Sequence, residues 1–206
     1  EVMPNIELRQ YGETYEHRPL VYAVVTAQEN FQNLEQIRTD NLKRTGTVDG
    51  VPGGPKKAII WFSYNVHGNE ASSLEASMMT LYELANTSNP KTQEWLKNTI
   101  VILDPCINPD GRDRYANFYN QYLNDPANSD VDAKEHHEPW PGGRSNHYLF
   151  DLNRDWAWAT QRETQQRLKI YNDWLPHVHV DFHEQSYNSP YYFAPAAEPF
   201  HEVISP

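Results

Sequence analysis

Ile59-Ile60-Trp61-Phe62-Ser63-Tyr64-Asn65-Val66-His67-Gly68-Asn69-Glu70 is the stretch on which the reading of this chain turns. Its first half is an apolar and aromatic run, the pattern of a strand covered on both faces of a sheet. The run gives way to polar residues and a glycine, and helical spacing of apolar residues begins near residue 70. A strand passing into a helix puts His67 and Glu70 at the strand's carboxyl end, the edge where ligands bind in open α/β sheets. A nitrogen ligand and an oxygen ligand brought to one point form half of a zinc site. Each residue also has an ordinary reading. His67 can be a satisfied loop histidine, and Glu70 a carboxylate favoured at a helix N-terminus by the dipole. Such a pair also arises by chance in a chain with nine His, so the weight lies on the residues downstream of it.

Working outward, residues 6–11 and 20–27 read as strands, with a turn beginning at Tyr11-Gly12-Glu13-Thr14, and suggest an antiparallel entry pair. Residues 29–44 carry Phe31, Leu34, Ile37 and Leu42 at helical spacing and stop at Gly46. Val51-Pro52-Gly53-Gly54-Pro55 is a loop, and residues 57–64 are the strand quoted above. The helix over about 70–86 sets Leu74, Met78, Leu81 and Leu84 on one stripe. A short helix near 91–97 leads into a strand at 99–103. Residues 105–150 read mostly as loop, because Pro, Gly, Asn and Asp recur there and apolar periodicity vanishes. A loop of that length in a compact domain is usually functional. A helix over about 160–174 and a strand over 177–183 follow, and residues 184–206 show no clear element. Helices alternating with apolar strands predict a single α/β domain over residues 1–206. Its central sheet is mixed and mostly parallel, with helices on both faces.

Composition narrows the function classes. The chain has 206 residues, 38% of them hydrophobic, enough for one sizeable core. Its 13 Tyr, six Trp and seven Phe supply buried area and, for Tyr and Trp, a polar handle for clefts. Lys+Arg 17 against Asp+Glu 28 gives a net charge of −11, which repels nucleic-acid phosphates and anionic lipid. No apolar run reaches the length of a membrane span. Cys106 stands alone, so an internal disulfide and a cysteine-based zinc site are both excluded. Asn86-Thr87-Ser88 is a glycosylation sequon at a helix-to-loop transition. The amino terminus carries no basic-plus-apolar signal pattern.

A hydrolytic zinc site needs a third ligand and an open position. His177, His179 and His183 alternate along one strand and share a face. At roughly 3.3 Å per residue, His179 and His183 lie about 13 Å apart and cannot share one ion. His183, nearest the carboxyl end of its strand, is the choice, and His177 and His179 read as core or edge histidines. His136-His137, beside Glu135 and Glu138, reads as a solvated polar cluster. Asp151-Leu152-Asn153-Arg154-Asp155 offers a planar guanidinium that grips a carboxylate bidentately, with Asn153 as a further donor. Its flanking carboxylates also allow a plain surface ion pair.

The strand leading into His67-Gly68-Asn69-Glu70, then Asn108-Pro109-Asp110-Gly111, Asp151-Leu152-Asn153-Arg154 and His183, match the order and rough spacing of the carboxypeptidase A-like zinc metallocarboxypeptidases. The stretch Tyr11 to Leu20 also resembles that family's opening hairpin. The resemblance spans nearly the whole chain. It implies one zinc ion per chain on His67, Glu70 and His183, and a carboxypeptidase-like fold that is incomplete here. It also implies that Asn153 and Arg154 bind the α-carboxylate of the substrate's last residue, and that Asp151 fixes the tautomer of His67. Arg144 best matches the arginine that polarises the scissile carbonyl, with Arg112 or Arg114 as alternatives. The implied activity is removal of C-terminal amino acids from peptides or proteins by zinc-activated water. Digestion of external peptides favours a secreted or periplasmic setting.

Two departures stand out. Glu184-Gln185 replaces the family's usual Ser-Tyr after the strand-end histidine. The family's general-base glutamate would lie past residue 206, since only 23 residues come after His183. The chain therefore reads as the amino-terminal part of a catalytic domain, inactive by itself. Glu184 is a substitute base only if a residue adjoining a ligand on a strand turns to the same side, against the alternation of strand side chains. Two other functions keep the same parts: a zinc amidase or deacylase acting on N-acyl amino acids or cell-wall peptides, and a non-catalytic peptide-binding module.

Overall fold

Strand side chains point alternately to the two faces of a sheet, so the parity of the large residues decides where each helix layer packs. The computed structural model describes residues 3–185 and Ser189. Five strands, β1 (Ile6–Glu13), β2 (Pro19–Val25), β3 (Ala58–Tyr64), β4 (Thr99–Asp104) and β5 (Val178–Phe182), form one sheet in the order β1-β2-β4-β3-β5. β3 runs parallel to both β4 and β5, and β1 pairs antiparallel with β2, as β2 does with β4. The helices are α1 (Gln28–Phe31), α2 (Leu34–Arg44), α3 (Ala71–Ala85), α4 (Pro90–Asn98), α5 (Pro109–Tyr122) and α6 (Arg162–Trp174). The mixed sheet, parallel at its centre and covered on both faces, is the architecture expected from the alternating pattern.

On one face, Ile59 and Trp61 of β3 join Tyr22, Val24, Ile100 and Ile102 against Leu34 and Ile37 of α2 and Trp174 of α6. On the other, Tyr64, Val25, Val101 and Leu103 meet Leu96 of α4, with Leu81 and Leu84 of α3 packed against them. A third, smaller cluster of Val66, Ile107 and Leu152 sits just past the carboxyl ends of the strands. It anchors the functional loops. Backbone bonds from Ile107 N–H to the Tyr64 carbonyl (3.1 Å) and from Asn108 N–H to the Asn65 carbonyl (3.2 Å) carry the β3–β4 ladder into this region.

Several local expectations need correction. Residues 105–150 are mostly loop, as expected, but α5, which was not expected, occupies Pro109–Tyr122 within them. Its start is encoded plainly: Asn108 caps the helix by accepting the Gly111 N–H (3.0 Å), Pro109 takes the first turn, and Asp110 favours the positive end of the dipole. The single helix expected over 29–44 is two, α1 and α2, split near Asn33. The α1 residue Asn30 is buried and donates to Thr26 Oγ1 and the Leu96 carbonyl, tying the first turn to β2 and α4. The stripe expected on α3 holds in part: Leu81 and Leu84 pack on the core, and Met78 does not. Ser73, Ser77 and Ala85 are its buried residues, while Met78 is 54% exposed. Small side chains fill the most buried positions of α3, with Leu81 and Leu84 packing beside them. β5 ends at Phe182, which leaves His183 just beyond the strand.

Candidate metal centre

β3 stops at Tyr64, and the next residue, Asn65, has φ 56°, a left-handed conformation that Asn tolerates better than most residues. Its carboxamide donates to the carbonyls of His67 and Glu70, both at 2.9 Å, and so folds the loop back on itself. Gly68 at the crest is required by contact. A Cβ there would lie under 3.0 Å from backbone atoms of Arg112, Gly111 and Gly143. The loop thus packs backbone to backbone on the start of α5. Glu70 takes the position immediately before α3, and His67 is 3% exposed.

His183 arrives from the end of the adjacent parallel strand. One ligand atom from each of His67, Glu70 and His183 lies within 4.8 Å of the others, and the two imidazole centroids are 5.0 Å apart. Both rings turn Nδ1 to the Glu70 carboxylate: His67 Nδ1 is 2.6 Å from Oε1, and His183 Nδ1 is 3.3 Å from Oε2. Both rings turn Nε2 away to a second carboxylate. His67 Nε2 meets Asp151 Oδ1 at 3.1 Å, and His183 Nε2 meets Asp181 Oδ2 at 3.0 Å. Ligand atoms bound at about 2.0–2.1 Å around a tetrahedral zinc stand roughly 3.3 Å apart, and the separations here, from 2.6 Å to at most 4.8 Å, bracket that spacing.

The electrostatics favour added positive charge. Burial opposes ionisation of Glu70, but the His183 and His67 rings and the Glu184 N–H outweigh it and hold its carboxyl at about 2. Hydrogen bonding to Asp181 and then to Glu70 lifts His183 to about 10. Asp151 and Asp181 both lie below the ordinary carboxylate value. Burial pushes each upward, and it is outweighed by the charge of His67 at Asp151 and by the His183 hydrogen bond at Asp181. Three carboxylates around two imidazoles stabilise a cation there, whether a proton or a metal ion that displaces it.

The arginines separate by what they touch. Arg144 lays Nε and Nη2 on Asp151 Oδ2 at 3.2 and 3.0 Å, one carboxylate away from His67. Arg114 donates to the carbonyls of Gly142 (2.6 Å) and Asn146 (3.2 Å), and so braces the loop that presses on Gly68. Arg112 faces Glu75 at 3.5 Å and lines a cavity of about 380 Å³ with Ala71, Tyr115 and Tyr119. Asp151 accepts the Asn153 N–H (2.9 Å) and so caps the short turn Leu152–Arg154. Arg154 is exposed, and its guanidinium donates only to the Asn153 carbonyl (3.3 Å) among the described residues. Neither flanking carboxylate closes on it: Asp155 is taken by Thr160 and Gln161, and Asp151 by His67, Arg144 and Asn153.

The other candidates are accounted for locally. Glu184 accepts the Ser73 N–H in the first turn of α3 (2.8 Å), so its carboxylate serves that helix end. His177 Nδ1 accepts the Ile59 N–H (3.0 Å). His136 and His137 bond the carbonyls of Asn128 and Val131 at 2.7 and 2.8 Å, as loop histidines do. Sequence reasoning missed Asp181. It lies on the parity already noticed for His177, His179 and His183, so the alternation itself was the signal. The Pro-rich stretch beyond Gln185 lies outside the described residues, apart from Ser189.

A family model described as zinc carboxypeptidase matches residues 2–181. The chain belongs to the zinc carboxypeptidase family. Among solved structures it is similar to a metallo-carboxypeptidase from Burkholderia cenocepacia (TM-score 0.56, 16% identity, covering 89% of this chain and 37% of that one). Carboxypeptidase A from Helicoverpa armigera is also similar (TM-score 0.52, 14% identity, 89% and 42%), as is a metallo-carboxypeptidase from Pseudomonas aeruginosa (0.53, 18%, 88% and 36%). At these identities the likeness concerns fold. This zinc carboxypeptidase chain spans between a third and a half of those structures, and its fold is correspondingly incomplete. Comparison with curated proteins finds no match.

Proposed function

We propose that the protein is a zinc-dependent carboxypeptidase that releases amino acids one at a time from peptide C-termini. His67, Glu70 and His183 hold the ion, which when bound polarises the scissile carbonyl and makes water a nucleophile near neutral pH. The observation that carries the exopeptidase reading is the Arg154 guanidinium, exposed and without a carboxylate partner among the described residues. A planar fork of this kind, with Asn153 beside it, takes a free α-carboxylate bidentately. An internal peptide bond offers no such group.

The remaining roles rest on position. Asp151 holds the His67 ring through Nε2 and keeps Nδ1 directed at Glu70. Arg144, resting on Asp151, donates to the carbonyl oxygen as negative charge builds on it, a contribution typically worth about 2.7–4 kcal/mol of barrier. The water's proton passes to a glutamate in chain beyond residue 206. Two observations support that placement: Glu184 is committed to the α3 N-terminus, and the chain covers only part of the similar carboxypeptidases.

The test uses the complete, zinc-loaded protein on three matched substrates: a peptide with a free C-terminus, the same peptide amidated, and an N-acyl amino acid. Mass spectrometry should show stepwise loss of C-terminal residues from the free peptide alone. Equal cleavage of the amide, or turnover confined to the acylated amino acid, would overturn the reading.

A further inference from the structure

The far nitrogen of His183 meets a carboxylate that the family reading does not use. We propose that Asp181 is a positioning residue for His183, fixing through a directed hydrogen-bond chain which ring nitrogen the imidazole presents to the metal. The inference rests on His183 being a zinc ligand and deepens that reading.

The chain can be traced atom by atom. Ser63 and Asp181 are register partners on the parallel strands β3 and β5, so their side chains leave the sheet on the same face. Ser63 is fully buried; its Oγ is 3.0 Å from Asp181 Oδ1 and 2.8 Å from His179 Nε2. The hydroxyl has a single proton, and an ionised carboxylate can only accept. Ser63 therefore donates to Asp181, and His179 must donate its Nε2–H to Ser63. Asp181 Oδ2, at 3.0 Å, then accepts the Nε2–H of His183. A neutral His183 with its proton on Nε2 carries its lone pair on Nδ1, and Nδ1 is the nitrogen turned to Glu70.

The surroundings favour this direction. The His179 ring lies 5.5 Å from Trp156 and 5.4 Å from Tyr171, which partly cover it. Burial lowers the His179 pKa, so that ring stays neutral and has one N–H to give. The outcome matches the other ligand: Asp151 holds His67 by Nε2, and both rings offer Nδ1. The two supports are anchored differently. Asp151 is tied to a loop and to Arg144, whereas Asp181 is locked into the sheet through Ser63. Carboxylate partners of this kind orient metal-binding histidines and raise their basicity, and their loss usually weakens metal binding 10–100-fold.

The experiment measures zinc dissociation constants by chelator competition on the complete protein, for the parent, Asp181→Ala, Asp181→Asn, Ser63→Ala and His67→Ala, each checked for folding by circular dichroism. Long-range imidazole ¹⁵N–¹H correlation spectra of the zinc-loaded parent and variants report the ring tautomers. Asp181→Ala should weaken zinc by roughly 10–100-fold. Asp181→Asn, whose carboxamide oxygen still accepts from Nε2–H, should recover part of that loss, and Ser63→Ala should give a smaller loss. His183 in the parent should carry its proton on Nε2 and the metal on Nδ1. Zinc affinity of folded Asp181→Ala within twofold of the parent would overturn the inference, and so would metal on His183 Nε2. If Asp181→Ala fails to fold, the Asn variant and the parent's tautomer decide. Unchanged affinity in His67→Ala would instead sink the metal-site reading beneath it.

Discussion

Arg154→Ala isolates recognition of the substrate carboxylate from the rest of the protein. The side chain is exposed, and its single hydrogen bond among the described residues runs to the neighbouring Asn153 carbonyl at 3.3 Å. Removing it breaks no packing and strands no buried charge, so folding stability should shift by no more than about 0.5 kcal/mol. The loss on substrate is larger. A hydrogen bond to a charged group contributes about 1.5–3 kcal/mol, and the guanidinium fork makes two in parallel. With Asn153 still donating, a net loss of about 3 kcal/mol, roughly 150-fold in kcat/KM, is expected. The carboxylate forms and breaks no bond in the reaction and is held in ground and transition states alike, so most of that loss should fall on KM. The assay compares kcat/KM on a free-acid peptide and its C-terminal amide for parent and variant, with thermal midpoints in parallel. The parent's preference for the free acid should collapse toward unity, and Arg154→Lys should restore little of it because an ammonium lacks the fork. An undiminished preference, or a midpoint lowered by several degrees, would refute the reasoning.

Four further outcomes rest on particular contacts. Gly68→Ala drives a methyl into the backbones of Gly111, Arg112 and Gly143, so it should destabilise by about 2–3 kcal/mol and displace His67, read as a lower urea midpoint with weakened zinc binding. Asn108→Ala removes the α5 cap and leaves the Arg144 carbonyl without its 3.1 Å donor, a loss of about 2 kcal/mol by denaturant titration. Asp155 lies below the ordinary carboxylate value: burial raises it, but the Thr160 hydroxyl and the Thr160 and Gln161 N–H groups outweigh that. The folded state thus binds this proton less tightly than the unfolded chain, its stabilisation is present above about pH 4 and lost as pH falls below it, and Asp155→Asn should flatten the acid limb of a stability–pH curve. His67→Ala should abolish tight zinc binding, and unchanged metal content by atomic absorption would contradict the cluster.

The sheet was legible in the sequence because β3 and β4 are covered on both faces, and burial on both faces leaves an uninterrupted apolar run. The gathering of His67 and His183 was legible from strand ends: an apolar run stops just before His67, and His183 ends the alternation of β5. α5 was missed because loop composition outweighed a cap signal, although Asn108-Pro109-Asp110 is a helix start by side-chain chemistry alone. The α3 stripe was legible only in part, at Leu81 and Leu84, because hydrophobic periodicity does not register the small residues that also line the buried face. Ser73 and Ser77 are two of them. Contacts between distant segments could not be read at all. Nothing local to Gly68 says that Gly143 presses on it, and nothing local to Ser63 says that it faces Asp181.

Those long-range contacts explain how three carboxylates come to surround two imidazoles without tearing the loops apart. Two acids are held by distant donors, Glu70 by the Glu184 N–H at 3.0 Å and Asp181 by the Ser63 hydroxyl at 3.0 Å, while Asp151 accepts the nearby Asn153 N–H at 2.9 Å. A carboxylate that accepts such bonds stays ionised at less cost. The donors come from the ends of β3 and β5 and from a capped turn, elements fixed by the apolar clusters beneath them. The cluster is therefore assembled and oriented by folding of the sheet, with three carboxylates fixed around the two rings. A zinc ion held by these residues would take its geometry from the protein and would keep a further position open for water.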